Sequence, residues 1–490
     1  MKQFLSKNGF ALFVTGTLAV ILIKLLFSAP NVGMADNGDF GRAMDAFGIQ
    51  SLVYDYWDLS FFNFMQLQFA ITNPYAFFSN IALLSSHLLV IGAAKVLNML
   101  LFSTTVFDIR FLALIYSVVF LVAAFFIVKG FRLPNKPLPW ITGAILAFFL
   151  IVMAGDASNL AYFNSFFSEP FAFVAFFAAV ACAVWLVNHP TRAPKLTFVG
   201  FILFVTAFCT AKPQYTVLSV PIVLAVIGYV LIERRGLNRA VIGLCVIPLL
   251  LSLLTFLAVP QGISSATLFN SVFNGVLRDV DNVDERLVEL GLDERFAHFV
   301  GSDVYVFEQT EEFLALQDEF LSQVSRGTVL WHYLRHPGEF FMRMGHTAAV
   351  MFDNVGASSD LLGNFDVLQN PEPLAQNESF LLSSRLKSHL PHTLWFVIVF
   401  YLVYALALTL AFRKADPANR GILWILAAVA LIGLVQFPMP VLANGETDIG
   451  KQLFFFNLTF DVSVAGLFGI VGGYLHQVLG RGRKEGARAG

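Results

Sequence analysis

The stretch FALFVTGTLAVILIKLLF, Phe10–Phe27, decides how the rest of the chain is read. It follows a basic start, Met1–Lys7, and so has the outline of a secretory signal. It is too long for a typical signal's apolar segment, and no small-x-small cleavage site closes it. The expectation is an uncleaved first transmembrane helix, with Lys24 snorkelling near its outer end. Nine further apolar stretches have about the length a helix needs to cross a bilayer core. They are Phe111–Val128, Trp140–Ala154, Phe171–Val187, Leu196–Ala211, Tyr215–Ile232, Ala240–Val259, Thr393–Phe412, Ile422–Phe437 and Leu453–Tyr474. Turns rich in Gly, Pro and charge separate them.

Composition agrees. Hydrophobic residues make up 57% of the 490, and charged residues only 13%, where a soluble protein carries about 25%. Much of the surface must therefore face lipid. Cys182, Cys209 and Cys245 all lie inside apolar stretches. They read as small apolar filler, which argues against a disulfide framework or a thiolate metal site.

The connectors set the orientation. Lys129–Lys136, Asn188–Lys195, Glu233–Arg239, Arg413–Arg420 and the tail after Gly480 are basic. The positive-inside rule places them in the cytoplasm with both termini. Ala29–Arg110, Gly155–Pro170, Lys212–Gln214, Pro260–His392 and Pro438–Gln452 then lie outside. The long segment Pro260–His392 holds 19 acidic and 8 basic residues, an excess that agrees with that address. The expected organisation is an N-terminal transmembrane core over 1–259 with a first outer loop at 30–110. An extracytoplasmic, mainly helical insert follows at 260–392, then the last helices and a basic tail at 393–490.

Phe77–Phe102 is apolar enough to span, but it carries Asn80, Ser85, Ser86, His87, Lys95 and Asn98. Counting it would put an odd number of spans between the basic start and the basic loops. It reads as an amphipathic helix in the outer interface; the alternative is an eleventh span with the N-terminus outside.

Four polar clusters fall on the outer side. In MADNGDFGR, Met34–Arg42, the carboxylates Asp36 and Asp39 flank a Gly, and Arg42 lies one helical turn beyond Asp39. Either carboxylate can serve as general base for a hydroxyl, or the segment is a capped, solvated turn. In Asp156–Pro170, Glu169 opens a span where a helix N-terminus favours negative charge, while Tyr162, Asn164 and Ser165 offer uncharged donors. In Thr210–Tyr215, Lys212 is the one charge between two long apolar stretches. It either snorkels or pairs with an anion such as a headgroup-level phosphate. In Asn444–Gln452, Glu446, Asp448 and Lys451 precede the last span, and Asn457 and Asp461 lie inside it. None of the nine His shows HExxH spacing, which argues against zinc. The lack of a P-loop argues against nucleotide chemistry.

The order and sidedness of these runs resemble the GT-C superfamily, membrane glycosyltransferases that use polyprenyl-phosphate-linked sugars. Asp39-Phe-Gly-Arg42 is similar to the Asp-Glu-x-Arg pattern of the aminoarabinose transferases. Phe77–Phe102 with Asp108-Ile-Arg110 resembles their interfacial helix and the Arg before the second span. Ala211-Lys-Pro-Gln214 resembles their Lys-Gly-Pro turn, which holds the carrier phosphate. The Asp36–Arg42 and Phe163–Pro170 runs also look like those of bacterial cell-surface glycan hexosyltransferases. The likeness covers the first half well and the second half by layout. Asn37 stands where the second acid of Asp-Glu would be, which leaves Asp36 and Asp39 competing for the role of base.

The resemblance implies a bundle of about ten helices with interfacial helices in the first outer loop. It implies an inverting sugar transfer at the outer face of the plasma (inner) membrane, from a polyprenyl-phosphate donor to a cell-envelope glycan or lipid. Asp39 or Asp36 would be catalytic. Arg42, Glu169, Lys212, Gln214, Asn164 and Tyr162 would bind substrate, with an Arg from the insert (Arg278, Arg335 or Arg343) assisting. No cofactor and no nucleic acid is expected, although Asp36, Asp39 and Glu169 could gather round a divalent ion. The rival reading is a transporter or flippase of lipid-linked sugars, with Lys24, Lys212 and Asp461 as pathway charges. It predicts inverted repeats or broken midplane helices, and neither is visible in the sequence.

Overall fold

The computed structural model describes residues 2–29, 31–36, 38–52, 65–131, 139–189, 195–233, 243–307, 310–352, 362–364, 380–416 and 419–486. Asn37 and most of the first three internal basic connectors lie outside these residues, as do parts of the fourth and of the tail.

Helices of seven or more residues are numbered in chain order. They are α1 Lys2–Leu22, α2 Leu88–Leu101, α3 Arg110–Gly130, α4 Trp140–Phe148, α5 Glu169–Asn188, α6 Lys195–Cys209, α7 Ser219–Glu233, α8 Val246–Leu257 and α9 Gln261–Ser271. There follow α10 Val283–Leu290, α11 Glu311–Gln323, α12 Arg326–Arg335, α13 Pro337–Ala349, α14 Leu382–Ser388, α15 Leu394–Lys414, α16 Arg420–Gln436 and α17 Phe454–Gly486.

Among the described residues, seven helical stretches are long and apolar enough to cross a bilayer, starting at Asn8, Arg110, Glu169, Pro213, Leu394, Arg420 and Phe454. Two bent pairs raise the number to nine: Trp140–Ala154 with Ala157–Phe163 (56°), and Val246–Leu257 with Gln261–Val276 (85°). The protein is thus an integral membrane protein built of helices, with seven to nine candidate spans where the sequence suggests ten. The tenth, Leu196–Ala211, is represented by the 15-residue α6. At about 1.5 Å per residue this is a short crossing. Its helix ends at Cys209 because the chain must turn through Lys212 into Pro213.

The sequence gives no sign of broken helices, yet two occur. Both breaks lead toward the insert: one runs into the Asp156 turn, the other directly into α9.

α5 is the hub. It packs along α3 and α6 and is the most enclosed of the candidate spans. Its phenylalanines explain why: Phe173 and Phe177 meet Phe120 at 5.1 and 5.0 Å, and Phe176 meets Phe208 and Phe455. Burying such rings contributes on the order of 1.5–3 kcal/mol each in a soluble core. Inside a bilayer the gain comes from packing rather than water exclusion.

The segment 77–102 forms helix only over the 14 residues of α2, about 21 Å long, which is too short to cross. Leu89, Leu100 and Leu101 are exposed while Lys95 is fully buried. The Lys95 ammonium donates to the carbonyls of Phe47, Asn73 and Ala76. His87, Lys95 and Asn98 are thus turned into the protein, whereas Asn80 is exposed.

The first loop also holds strands that the helical expectation lacks. β1 (Val32–Met34) pairs antiparallel with β5 (Leu362–Asn364). β2 (Ile49–Ser51), β3 (Gln68–Ile71) and β4 (Val106–Asp108) form a three-stranded antiparallel ribbon. The insert is helical and has its own core around Phe269, Phe273, Phe296, Phe299 and Phe320, closed by Val441 from beyond α16.

Candidate functional site

The site starts at the turn after β1. The Asp36 carboxylate Oδ1 accepts the backbone N–H of Gly38 at 2.8 Å and of Phe40 at 3.1 Å. Gly38 sits at φ +92°, a conformation that needs glycine. Phe40 then inserts between Phe166 and Phe167, with centroids 5.5 and 4.8 Å away. This packing brings Asp39 to the start of α5.

Asp39 is held from both sides. Arg42 lies 2.6 Å from one oxygen and Lys451 lies 2.5 Å from the other. Lys451 comes from the short turn before α17, and its ammonium also lies 3.9 Å from the Phe167 ring centroid. A second pair stands beside the first: Glu169, fully buried at the N-terminus of α5, meets Lys212 at 2.7 Å. Gln214 donates to the carbonyl of Gln452, which ties the Lys212 turn to the Lys451 turn.

Electrostatics link these groups. Burial pushes the Asp36 carboxyl up to about 6, against its two backbone hydrogen bonds. Partial burial acts on Asp39 as well, yet Lys451 and Arg42 hold it well below the usual carboxylate range. Burial would lower the Lys451 ammonium, but Asp39, Glu169 and Asp448 outweigh it and raise it. Charges therefore alternate from Arg42 through Asp39, Lys451 and Glu169 to Lys212. The two ends of the run are cations, Arg42 with 37% and Lys212 with 23% of the side chain exposed. Asp39 between them keeps 25% exposure, so the reachable part of the run is two cations with one carboxylate.

The remaining sequence candidates divide. Tyr162 packs on Phe454 at 4.8 Å, next to the cluster. Asn164 is fully buried, and its amide donates to the carbonyls of Leu26 and Val32. It braces the end of the first span against β1, so its donor group is not free for a substrate. That contact is close: a side chain at Gly33 would strike Met65 and Asn164. Of the three arginines, Arg278 and Arg343 both meet Glu446, at 3.3 and 3.0 Å. Arg335 lies over Trp331 instead.

The sequence reading missed two residues that hold the site. Ser85 and Ser86 at the foot of α2 donate to the carbonyls of Ala211 and Ala207, clasping the Lys212 turn. From Phe208, below that turn, toward Tyr229 and Trp424 near the opposite end of the bundle, α5, α6, α7 and α16 line a partly open apolar cavity of about 560 Å³. Phe208 stacks on Tyr215, and Lys212 lies over the Tyr215 ring.

Two further acids of the sequence reading have structural partners. Asp461 lies 3.1 Å from Lys387 of α14. Asp156 accepts from the backbone and hydroxyl of both Ser158 and Ser384.

Apolar helices of spanning length, joined by buried ion pairs at one end, define a multi-pass helical membrane protein. Residues 2–483 match the family model described as the YfdI N-terminal transmembrane domain, and the chain belongs to that family. No curated protein matches it.

Proposed function

We propose that this protein is a membrane glycosyltransferase of the GT-C type, acting at the outer face of the plasma (inner) membrane. It would move a sugar from a polyprenyl-phosphate donor to a cell-envelope glycan or lipid. One observation carries the reading: Asp36, Asp39, Glu169, Lys212 and Lys451, from four separate stretches of chain, converge at one end of the helical bundle. The opposite end supports the sidedness. There the Asn188 amide donates to the Gly130 carbonyl, and Arg420 lies 3.7 Å from Glu233. The ends of the basic connectors thus meet one another and not the cluster.

In this mechanism the donor's isoprenoid tail lies along the apolar cavity and its phosphate sits between Lys212 and Arg42. Asp36 takes the proton from the acceptor hydroxyl. With a proton affinity near working pH it is the better tuned of the two carboxylates. Asp39 stays ionised and keeps Lys451 and Arg42 in place. The hydroxyl oxygen attacks the anomeric carbon opposite the phosphate, the C–O bond to phosphate breaks, and the product is inverted. Polyprenyl phosphate leaves as an anion, stabilised by the cations and needing no general acid. Asp39 and Glu169 are each occupied by a lysine, which disfavours a divalent ion between them.

The transporter reading loses one of its pathway charges, since Asp461 is closed off by Lys387. Its best support is the pair of bent helices. Purified full-length protein given a radiolabelled polyprenyl-phosphate hexose separates the two readings. Release of polyprenyl phosphate with sugar transfer is expected. Movement of intact donor across a vesicle without turnover, or full turnover in both Asp36→Asn and Asp39→Asn, would refute the transferase.

A further inference from the structure

Away from the charged run, the insert holds a second constellation. Glu289 lies near the end of α10, His332 lies on α12, and His336 follows that helix just before Pro337. His336 caps the end of that helix, and its ring centroid lies 4.6 Å from that of His332. One ligand atom from each of the three residues lies within 4.8 Å of the others. Glu289 Oε1 is 2.7 Å from His336 Nε2 and 3.8 Å from His332 Nδ1. The search for HExxH in the sequence passes over this set because the carboxylate comes from a distant helix.

We propose that Glu289, His332 and His336 form a divalent transition-metal site, with zinc the best-suited ion, that staples α10 to the α12–α13 hairpin of the insert. Two histidines and one carboxylate are a known three-ligand set for zinc, with water as the fourth ligand. A second observation points to a ligand. His332 is 3% exposed, and its Nδ1 has no hydrogen-bond partner. That nitrogen faces the Glu289 oxygen across 3.8 Å, a gap too long for a hydrogen bond.

The surroundings fit a metal ligand set. His332 Nε2 lies 2.8 Å from Glu339 Oε2. A proton on Nε2 leaves the Nδ1 lone pair free to coordinate, the usual carboxylate–histidine–metal relay. Arg286 in turn bonds the other Glu339 oxygen and the Oε2 of Glu289, orienting both carboxylates. His336 Nε2 meanwhile faces the Glu289 oxygen at 2.7 Å and the Arg286 guanidinium at 3.2 Å. No single proton state of that nitrogen satisfies both. A cation between Glu289 Oε1 and the histidine nitrogens gives both lone pairs a partner and leaves Arg286 to the outer oxygens.

This inference does not rest on the transferase reading, and its test needs no activity. Tag-free full-length protein in detergent is stripped with a chelator, dialysed and titrated with zinc chloride against a chromophoric competitor. The expected result is about one zinc per chain and a higher thermal unfolding midpoint. His336→Gln or Glu289→Gln, both at partly exposed positions, lowers the affinity by at least about 100-fold. Glu339→Gln lowers it by about 10–100-fold, as loss of a supporting carboxylate does. Two results would overturn the site: no stoichiometric zinc on the wild type at micromolar concentration, or His336→Gln and Glu289→Gln binding as the wild type does.

Discussion

Two lysine–carboxylate groupings lie toward the insert end of the bundle, and they are built differently. Lys387 and Asp461 form a buried pair, with 6% and 0% of the side chains exposed. With the neighbouring Asp156–Ser384 bonds, they fasten α14 into the transmembrane core. Asp39, Lys451, Glu169 and Lys212 instead share their charges, and the run ends in partly exposed cations. The first group is a closed fastener, because Lys387 is spent on Asp461 and Asn457 and neither charge has access. The second has both redundancy and a way in, which is what a ligand site needs. Chemical type alone does not separate structure from function here; connectivity and access do.

That contrast can be broken experimentally. The largest effect is expected at Asp36→Asn, which keeps an oxygen to accept the turn's hydrogen bonds but cannot take a proton. Turnover of lipid-linked donor should fall by about 10²–10⁴-fold, with the thermal midpoint little changed. Next comes Lys387→Ala, which strands Asp461. Loss of one member of a buried pair costs about 3–5 kcal/mol, read as a lower thermal midpoint in detergent. Pairing Lys387→Met with Asp461→Leu should restore most of it. If Lys387→Ala abolished turnover without touching stability, the fastener would be part of the site.

Lys212→Gln sharpens the comparison from the other side. Losing a charge-assisted hydrogen bond to phosphate, about 1.5–3 kcal/mol, should raise the donor KM by about 10–100-fold. Glu169 keeps the nearby Lys451, so the loss of thermal stability should be smaller than for Lys387→Ala.

The smallest effect is in pH. The Asp36 carboxyl is raised from 3.8 to about 6, first by burial and in part by Asp39. Turnover should therefore fall as pH drops through about 6, where the base becomes protonated. The stability contribution runs the opposite way. It is full below about 3.8 and is lost as pH rises through about 6. Asp39→Asn removes a like charge and should move the activity midpoint to lower pH.

Much of this was legible before the structure. Long apolar runs such as Phe10–Phe27 identify a bilayer-spanning chain, because lipid tolerates few other patterns. The motifs around Asp39, Glu169 and Lys212 do meet. Pairings across long chain separations were not legible. Nothing local to Lys451 names Asp39 as its partner, and nothing near Asp461 points to Lys387. Periodicity reports one helix face, not which distant side chain fills it. The bends after α4 and α8 were hidden for a related reason, since Ala, Gly and Pro occur both within and between apolar helices. Asn164 offered the amide a sugar would want, but its position at a backbone crossing takes up the NH2 donor.

The way the insert joins the bundle bears on how large molecules get in. It begins on the 85° bend from α8 into α9, separated only by residues 258–260, and its far end is fastened through α14. A roof clamped at both eaves does not swing like a hatch. For the proposed transfer, a bulky acceptor would then have to approach from the side rather than by displacing the insert.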